Sequence, residues 1–538
     1  MRGKTGWLVV LLLALTVALN SAAYGVDLKW WSHWAIEDNK KAVLFEVKKR
    51  FEAKHPGNTV TINFYEKANM FPTLRAAFTA GSGFPDVFYY EADVPEFIPA
   101  GWLADMSTGI RWENIEPSAK AFWTRPGPGG KMGPWAIAVE SASDELYYNK
   151  KMFRQLGVTV PANGIFTQDQ FKEAIGKCVK AGYAGFATGT SDREYPGLYI
   201  PSMLLLSKLG GDEVKKLVRG ETSWKDPRVV EVFRYYRELV DIGAYSKTMT
   251  SMTLAESHRY FHTDQKACMF PVGSWYTGRS FVPPEKGGQP KDFELGMLNY
   301  PLMNDGKGAG QKYIGYGGSL AVAPKGAHLA LAMEVANTFA DPEIGNLWAG
   351  KTGIQTGIKT DVQKIDSPIK WYLDMFAQAN RATKWQDISV QNFKLNMKSE
   401  MWEVWVSVIN QGLPNKLVSA DEALDKLEAA RLKFNRLLSV VSHRQFALFR
   451  RGVGGVHRPV APSDSRWVWR RRRMAAPEGA RGCLTCTRIR HRGPRRWRRR
   501  WLASRSEAPA PAAPGARSSC SWARPSASIS PSSFIRCW

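Results

Sequence analysis

Between Leu28 and Tyr90 the apolar positions recur with two different periods. Val60, Ile62 and Phe64 return every second residue and predict a half-buried strand over Thr59–Tyr65. Val43, Leu44, Val47 and Phe51 share one helical stripe and predict a helix over Glu37–His55, stopped by Pro56-Gly57. Leu28–Trp34 reads as a short strand breaking into an aromatic loop, Phe71–Ala80 as a helix ended by Gly81-Ser82-Gly83, and Asp86–Tyr90 as a third strand. Strand alternating with helix implies βαβ units and a parallel sheet. Ligands of such sheets sit beyond the carboxyl ends of the strands. Here those ends are Trp31-Ser32-His33-Trp34, Tyr65-Glu66 and Tyr90-Glu91-Ala92-Asp93, rich in aromatic and acidic side chains.

The stretch Lys131–Lys151 organises the rest of the chain. A glycine-proline loop, Pro126–Gly130, leads into Trp135–Val139, whose small and β-branched apolar residues predict a buried strand ending in Glu140. Burying a carboxylate is costly unless it is paired or hydrogen-bonded. Glu140 is therefore either the partner of a structural Lys or Arg, or a group at the mouth of a cleft where the chain crosses between two lobes.

A second α/β region is predicted beyond this crossing. Thr167 and Gln170 form a capping box ahead of a helix over Phe171–Ala181, and Gly185–Thr188 is a strand. Tyr199–Leu209 is an apolar helix, and Asp226-Pro227 supplies the cap and first-turn chemistry for another over Arg228–Ile242. Lys266–Val272 reads as a strand ending in Gly273-Ser274-Trp275-Tyr276. Phe293–Tyr300 and Ser319–Ala323 read as strands returning to the first sheet. Helices are expected at His328–Ala340, Pro368–Ala379, Gln391–Asn410 and Ala420–Val440, with no internal repeat.

Composition changes the picture at the two ends. Arg2 and Lys4 precede an apolar run, Trp7–Leu19, and small residues at Ser21-Ala22-Ala23, the pattern of an export signal over residues 1–25. The run is too short to span a membrane, and no cysteine follows it to suggest a lipid anchor. The formal net charge is +25, yet residues 443–538 carry 22 Arg, no Lys and 3 acidic residues, a net of +19 that leaves +6 for the body. The basic balance therefore describes this tail and not the body's partners. The tail, with its Trp-Arg clusters and Cys483-x-x-Cys486, reads as disordered or frame-shifted sequence, and no nucleic-acid role is assigned to it. In the body Cys178 and Cys268, far apart in sequence, imply neither a disulfide framework nor a metal site.

Three patterns match known motifs in letters only. Gly345 to Thr352 spells a phosphate loop, but a helix precedes it and Leu347 and Trp348 fill it. Gly210-Gly211-Asp212-Glu213-Val214 follows an apolar helix and reads as a C-cap. His258 and His262, four apart, read as a surface pair, because the metalloprotease pattern needs Glu where Arg259 stands. No nucleophile elbow or local Cys–His signature is present. Paired carboxylates for glycoside cleavage, such as Glu91 and Glu140, stay open as a rival reading. No basic cluster marks the expected cleft, as a phosphorylated ligand would require.

Over residues 26 to 442 the chain resembles the extracellular sugar-binding proteins of bacterial ABC importers, the group that includes maltose-binding protein. The resemblance rests on Gly83-Phe-Pro-Asp-Val-Phe-Tyr-Tyr-Glu91, Gly101-Trp-Leu-Ala-Asp105, Ala138-Val-Glu140 followed by Tyr147-Tyr-Asn-Lys150, Phe270-Pro-Val-Gly-Ser-Trp275 and Gly317-Gly318-Ser-Leu-Ala-Val322. It implies a two-lobe periplasmic-binding-protein fold of type II, each lobe a mixed sheet flanked by helices, joined by a hinge of crossing strands. The N-terminal lobe would comprise 26–137 plus about 292–362, and the C-terminal lobe 138–291 plus about 363–442. It further implies a periplasmic monomer that closes on a carbohydrate and touches the membrane only through its permease, without catalysis, cofactor or metal. Glu140 matches the glutamate that accepts sugar hydroxyls, and Trp275 the tryptophan that stacks on a sugar ring, with Asp192 and Tyr195 near a second aromatic contact. The loop ends Trp31, His33, Trp34, Glu66, Tyr90, Glu91 and Asp93, the strand end Gly273-Ser274, Gly318 and Trp385 complete the expected site. Trp102 and Trp348 are expected in the core. Tyr90 and His33 depart from the maltose-type pattern, which leaves the particular sugar open, with a polyol or glycerol phosphate as further alternatives.

Overall fold

The structure, a computed structural model, describes residues 25–435 apart from 93, 325–327, 389–392 and 398. The export signal up to residue 24, Asp93, the Arg-rich tail and the end of the helix expected to reach Val440 lie outside the described residues.

The first three strands, β1 (Asp27–Ser32), β2 (Thr59–Phe64) and β3 (Val87–Tyr90), pair in parallel with β1 between the other two. β4 (Thr124–Pro126) and β5 (Met132–Pro134) form a separate ribbon. The remaining strands are β6 (Ile137–Ala138), β7 (Ser141–Asn149), β8 (Ala184–Phe186), β9 (Ala267–Gly273), β10 (Leu295–Leu298), β11 (Gln311–Tyr316), β12 (Ser319–Val322) and β13 (Lys384–Gln386). The first sheet has the order β2-β1-β3-β12-β6, and the second runs β13-β11-β7-β9-β8 with β10 also on β7. Each sheet mixes parallel and antiparallel pairs and is flanked by helices.

The helix Asp38–Lys54 packs the first sheet with the predicted stripe Val43, Leu44, Val47 and Phe51, and also buries Lys40. The helix Lys67–Ala80 begins a turn before the predicted Phe71 and ends where Gly81 takes the left-handed conformation (φ 71°) that a side chain would disfavour. In the second lobe every residue of β9 is buried, because the sheet is covered on both faces. Cys268 and Met269 face one core with Leu146, Phe186 and Tyr313, while Phe270 and Val272 face another with Tyr147, Tyr276 and Tyr372. The helix Gln168–Lys180 starts on the predicted Thr167/Gln170 capping box, and Pro227–Asp241 on the Asp226 cap. Among the described residues no helix is long and apolar enough to cross a membrane.

Four expectations are corrected. Phe293–Tyr300 does not return to the first sheet: nine-residue β7 offers an edge long enough to pair β11 at its start and β10 at its end, so only Ser319–Val322 goes back. Cys178 and Cys268 form a disulfide, because the fold brings the helix Gln168–Lys180 against β9 with the two Cα atoms 6.3 Å apart. His258 and His262 are buried, not a surface pair, since the helix Leu254–His262 turns both rings toward Tyr276. The expected helix Gln391–Asn410 is broken into Phe393–Asn396, Ser399–Ser407 and a π-helical turn at Val408–Gly412.

Candidate functional site

The chain crosses between the two sheets at three neighbouring places. β6 belongs to the first sheet and β7 to the second, so Val139-Glu140 is one crossing; β11 and β12 make Gly317-Gly318 the second. The crossings are tied together by Gly318, whose carbonyl accepts the N–H of Val139 at 3.0 Å and of Glu140 at 2.8 Å. This interrupts the strand expected over Trp135–Val139 just before the carboxylate. A third passage lies alongside, where Ser141 N–H donates to Gln355 O at 2.9 Å. A Cβ on Gly318 would come within 2.7 Å of Glu140 Oε2, 2.9 Å of the Tyr89 ring and 3.0 Å of the Trp34 ring, so the close packing requires glycine.

Strand register then gathers the other groups. Ser319 pairs with both Tyr90 and Ala138, which sets the end of β3 and its Glu91 beside the crossing. Gly273 pairs with Asp144 at the start of β7, and Ser274 Oγ accepts the Ser143 N–H at 3.1 Å, so Trp275 emerges next to Glu140. Opposite it, the loop before Tyr195 is fastened to the loop before Leu254: Asp192 Oδ1 accepts Leu254 N–H at 2.8 Å, and Thr190 and Ser191 donate to Met249 and Met252 carbonyls. The π-helical turn supports the same loop by aiming the Asn410 amide at Glu194 O. π-turns recur at such sites.

The result is a cleft of about 200 Å³ lined from both lobes by His33, Glu37, Lys40, Lys67, Tyr89, Glu91, Glu140, Asp192, Arg193, Tyr195, Trp275, Arg279 and Gly318, with Ile36, Ala142, Leu254, Ala255 and Gly317. The Trp275 ring stacks on buried His258 (5.7 Å, 26°) and meets the Tyr195 ring edge-on at 6.3 Å, with the Arg279 guanidinium 5.9 Å from its centre. The Glu140 carboxylate pairs with Lys40 at 2.5 Å, Lys40 with Glu37 at 3.2 Å, and Glu37 with Arg279 at 3.4 Å. Lys67 pairs with Glu91, which also accepts the Tyr89 hydroxyl.

Burial would raise the Glu37 and Glu91 carboxyls, but the charges of Lys40 and Arg279 beside the first, and of Lys67 beside the second, hold each down at about 2. For Glu140 burial wins over Lys40, with Glu37 adding repulsion, and its pKa is raised. Burial and Lys67 push His33 down to about 3, so it is neutral. Among the described residues no cluster of three metal-ligand side chains occurs, and His262 has both ring nitrogens engaged, by Tyr276 OH and Gly287 O. An aromatic wall beside fixed carboxylates and ammonium groups suits a ligand with an apolar face and a hydroxyl edge.

Residues 34–346 match the family model of bacterial extracellular solute-binding proteins. The chain belongs to this family. It is similar to an uncharacterized ABC transporter extracellular-binding protein of Pyrococcus horikoshii, 24% identical over 260 residues, 46% of this chain and 55% of that protein. The chain thus spans about half the length of the curated relative it matches. Its two-lobe fold is shared with a structure from a study of xylan utilization by the thermophilic bacterium Caldanaerobius polysaccharolyticus (TM-score 0.63, 19% identity, 75% of this chain and 99% of that one). A chitin oligosaccharide binding protein is similar to the same degree (TM-score 0.62, 20% identity, 76% and 98%). The family is one of exported binding proteins.

Within this cleft the structure assembles seven of the expected residues: His33, Glu91, Glu140, Asp192, Tyr195, Trp275 and Gly318. The other described ones lie elsewhere. Trp31 is buried against the Tyr65 ring at 4.6 Å, and Trp34 is buried behind the cleft between Tyr89 and Trp348. Tyr90 is fully buried, its hydroxyl donating to Val94 O, because β3 turns alternate side chains away from the cleft and sends Tyr89 in. Glu66 is exposed at the start of the helix Lys67–Ala80. Gly273 and Ser274 are buried supports of Trp275, Trp385 pairs through β13 with β11, and Asp93 is outside the described residues.

Sequence reasoning missed Glu37, Lys40, Lys67, Tyr89, Arg193 and Arg279, and its expectation of no basic cluster is corrected by the four cations here. Lys40 carried a legible signal, since it falls on the same helical stripe as Val43, Leu44 and Val47. Nothing local marks Lys67 or Arg279, which reach the cleft only through packing between distant segments.

Proposed function

We propose that this protein is the extracytoplasmic receptor of an ABC importer, binding a sugar or oligosaccharide between its lobes and presenting it to the membrane permease by hinge closure. One observation carries the reading: at the crossing of two lobes, the Trp275 ring with Tyr195 at its edge faces the paired Glu140–Lys40 carboxylate and ammonium. A pyranose presents an apolar face and a rim of hydroxyls that such walls recognise. The chitin oligosaccharide binding protein and the xylan-utilization structure, which share the fold, support the sugar class. In this reading the protein works as a monomer in the periplasm after removal of residues 1–25, and changes no bond in its ligand. The buried Cys178–Cys268 disulfide supports an oxidising compartment.

The test is a thermal-shift and calorimetric screen of the purified protein against mono- and oligosaccharides, with the ligand recovered and examined afterwards. A ligand at about 100 times its Kd should add roughly 2.7 kcal/mol of stability. Binding with intact recovery is expected. Turnover of a glycoside, lost on Glu140→Gln, would establish the rival enzyme instead; a cooperatively melting protein that no sugar shifts would sink the proposed ligand class.

A further inference from the structure

We propose that the cleft is matched to an electrically neutral sugar and that Glu37 sets this preference; the inference rests on the sugar-receptor reading. Among the described residues lining the cleft there are four carboxylates, Glu37, Glu91, Glu140 and Asp192, and four cations, Lys40, Lys67, Arg193 and Arg279. Each cation already faces a carboxylate. Lys40 is shared between Glu140 and Glu37, Arg279 meets Glu37, Lys67 meets Glu91, and Arg193 lies 4.0 Å from Asp192 at the more exposed rim. His33, half-buried and neutral, adds no charge.

A neutral polyol enters such a network without breaking it. An ammonium has three donors and a carboxylate about four acceptor positions, so hydroxyls can use those the ion pairs leave over. A uronate or a sugar phosphate meets a different balance. To bind a cation it must draw that cation from its partner, leaving a buried carboxylate unpaired, a penalty comparable to the gain. Protonation of Glu37 or Glu91 offers no relief near neutrality, because neighbouring cations keep both ionised.

Glu37 is the pivotal carboxylate. Its Oε1 lies between Lys40 Nζ of the first lobe and Arg279 Nε of the second, so it neutralises one cation from each side of the cleft. Replacing it with glutamine keeps the shape, removes one negative charge and leaves the cleft with a surplus cation.

The experiment compares binding of matched pairs by calorimetry: glucose with glucuronate and glucose 6-phosphate, galactose with galacturonate, and xylose and N-acetylglucosamine with their disaccharides as further neutral probes. The neutral members should bind, and each anionic counterpart should be at least ~30-fold weaker because of like-charge contacts. Glu37→Gln should narrow that ratio about 10-fold by strengthening the anion. Arg279→Gln, which removes a cation and keeps Glu37, should widen it. The proposal is overturned if the wild-type protein takes an anionic sugar as tightly as its neutral parent, or if neither variant moves the ratio. Should no sugar of either kind bind to a protein that melts cooperatively, the receptor reading itself falls and this inference with it.

Discussion

Lys40 Nζ lies 2.5 Å from Glu140 Oε1 although one side chain comes from a helix of the first lobe and the other from the strand crossing, and both are almost wholly buried. Removing one partner of such a pair leaves an uncompensated charge. Lys40→Met is therefore expected to destabilise the protein by about 3–5 kcal/mol. Urea unfolding measures the loss. Adding Glu140→Gln to Lys40→Met should recover part of it, a non-additivity that a double-mutant cycle would show.

Gly318→Ala places a methyl group within 3.0 Å of Glu140, Tyr89 and Trp34, on a residue whose carbonyl holds the other crossing. The expected cost is about 1–3 kcal/mol. Ligand affinity should fall with it, because Glu140 and Tyr89 both face the cleft. Unchanged melting temperature and affinity would show that the crossings tolerate separation.

Trp275 is only partly buried and sits two residues beyond the end of the β7–β9 pairing at Gly273, so its ring serves the cleft more than the core. Trp275→Ala should weaken sugar binding about 10-fold or more, about 1.4 kcal/mol. Trp275→Phe should recover part of the loss, since a flat ring remains. Calorimetry on both variants separates stacking from general disruption.

Acid should loosen the cleft in a defined window. Glu37 and Glu91 have folded pKa values of about 2 against an ordinary value of 4.5, so each contributes stability above about pH 4.5 that is lost as pH falls toward 2. Glu140 has the opposite sign: its raised pKa makes its contribution fall as pH rises through the folded value. Urea midpoints between about pH 2 and 6 should decline on the acid side, and Glu37→Gln or Glu91→Gln should flatten that decline.

The Cys178–Cys268 bond closes a loop with a sequence separation of 90 and lies inside the larger core of the second lobe. Its removal by a double Cys→Ala change is expected to cost about 2–4 kcal/mol. The melting temperature should drop by several degrees, and reductant under denaturing conditions should reproduce the drop in the wild type but not in the variant.

The sequence by itself determined the opening strands and helices and the capped helices after the crossing, but not β11, β13 or the helices Gly211–Val218 and Leu254–His262. Two-residue alternation in Thr59–Phe64, the stripe of Asp38–Lys54, the Thr167/Gln170 box and the Asp226 cap are local chemistry, and each appears where its pattern placed it. Glu140 was legible as well, because a carboxylate ending an apolar run is costly enough to need a reason. Tertiary structure alone decided which strand ends meet. The parity of β3 sends Tyr89 into the cleft and Tyr90 into the core, a choice fixed by pairing with β12 and invisible in a run where both neighbours are aromatic. The sheet that β10 joins, the meeting of Cys178 with Cys268 and the chain of charges from Glu140 through Lys40 and Glu37 to Arg279 likewise depend on contacts between residues far apart in sequence. Periodicity reports which face of an element is buried. It carries no information about the partner against which that face is buried, and the cleft is made of such partners.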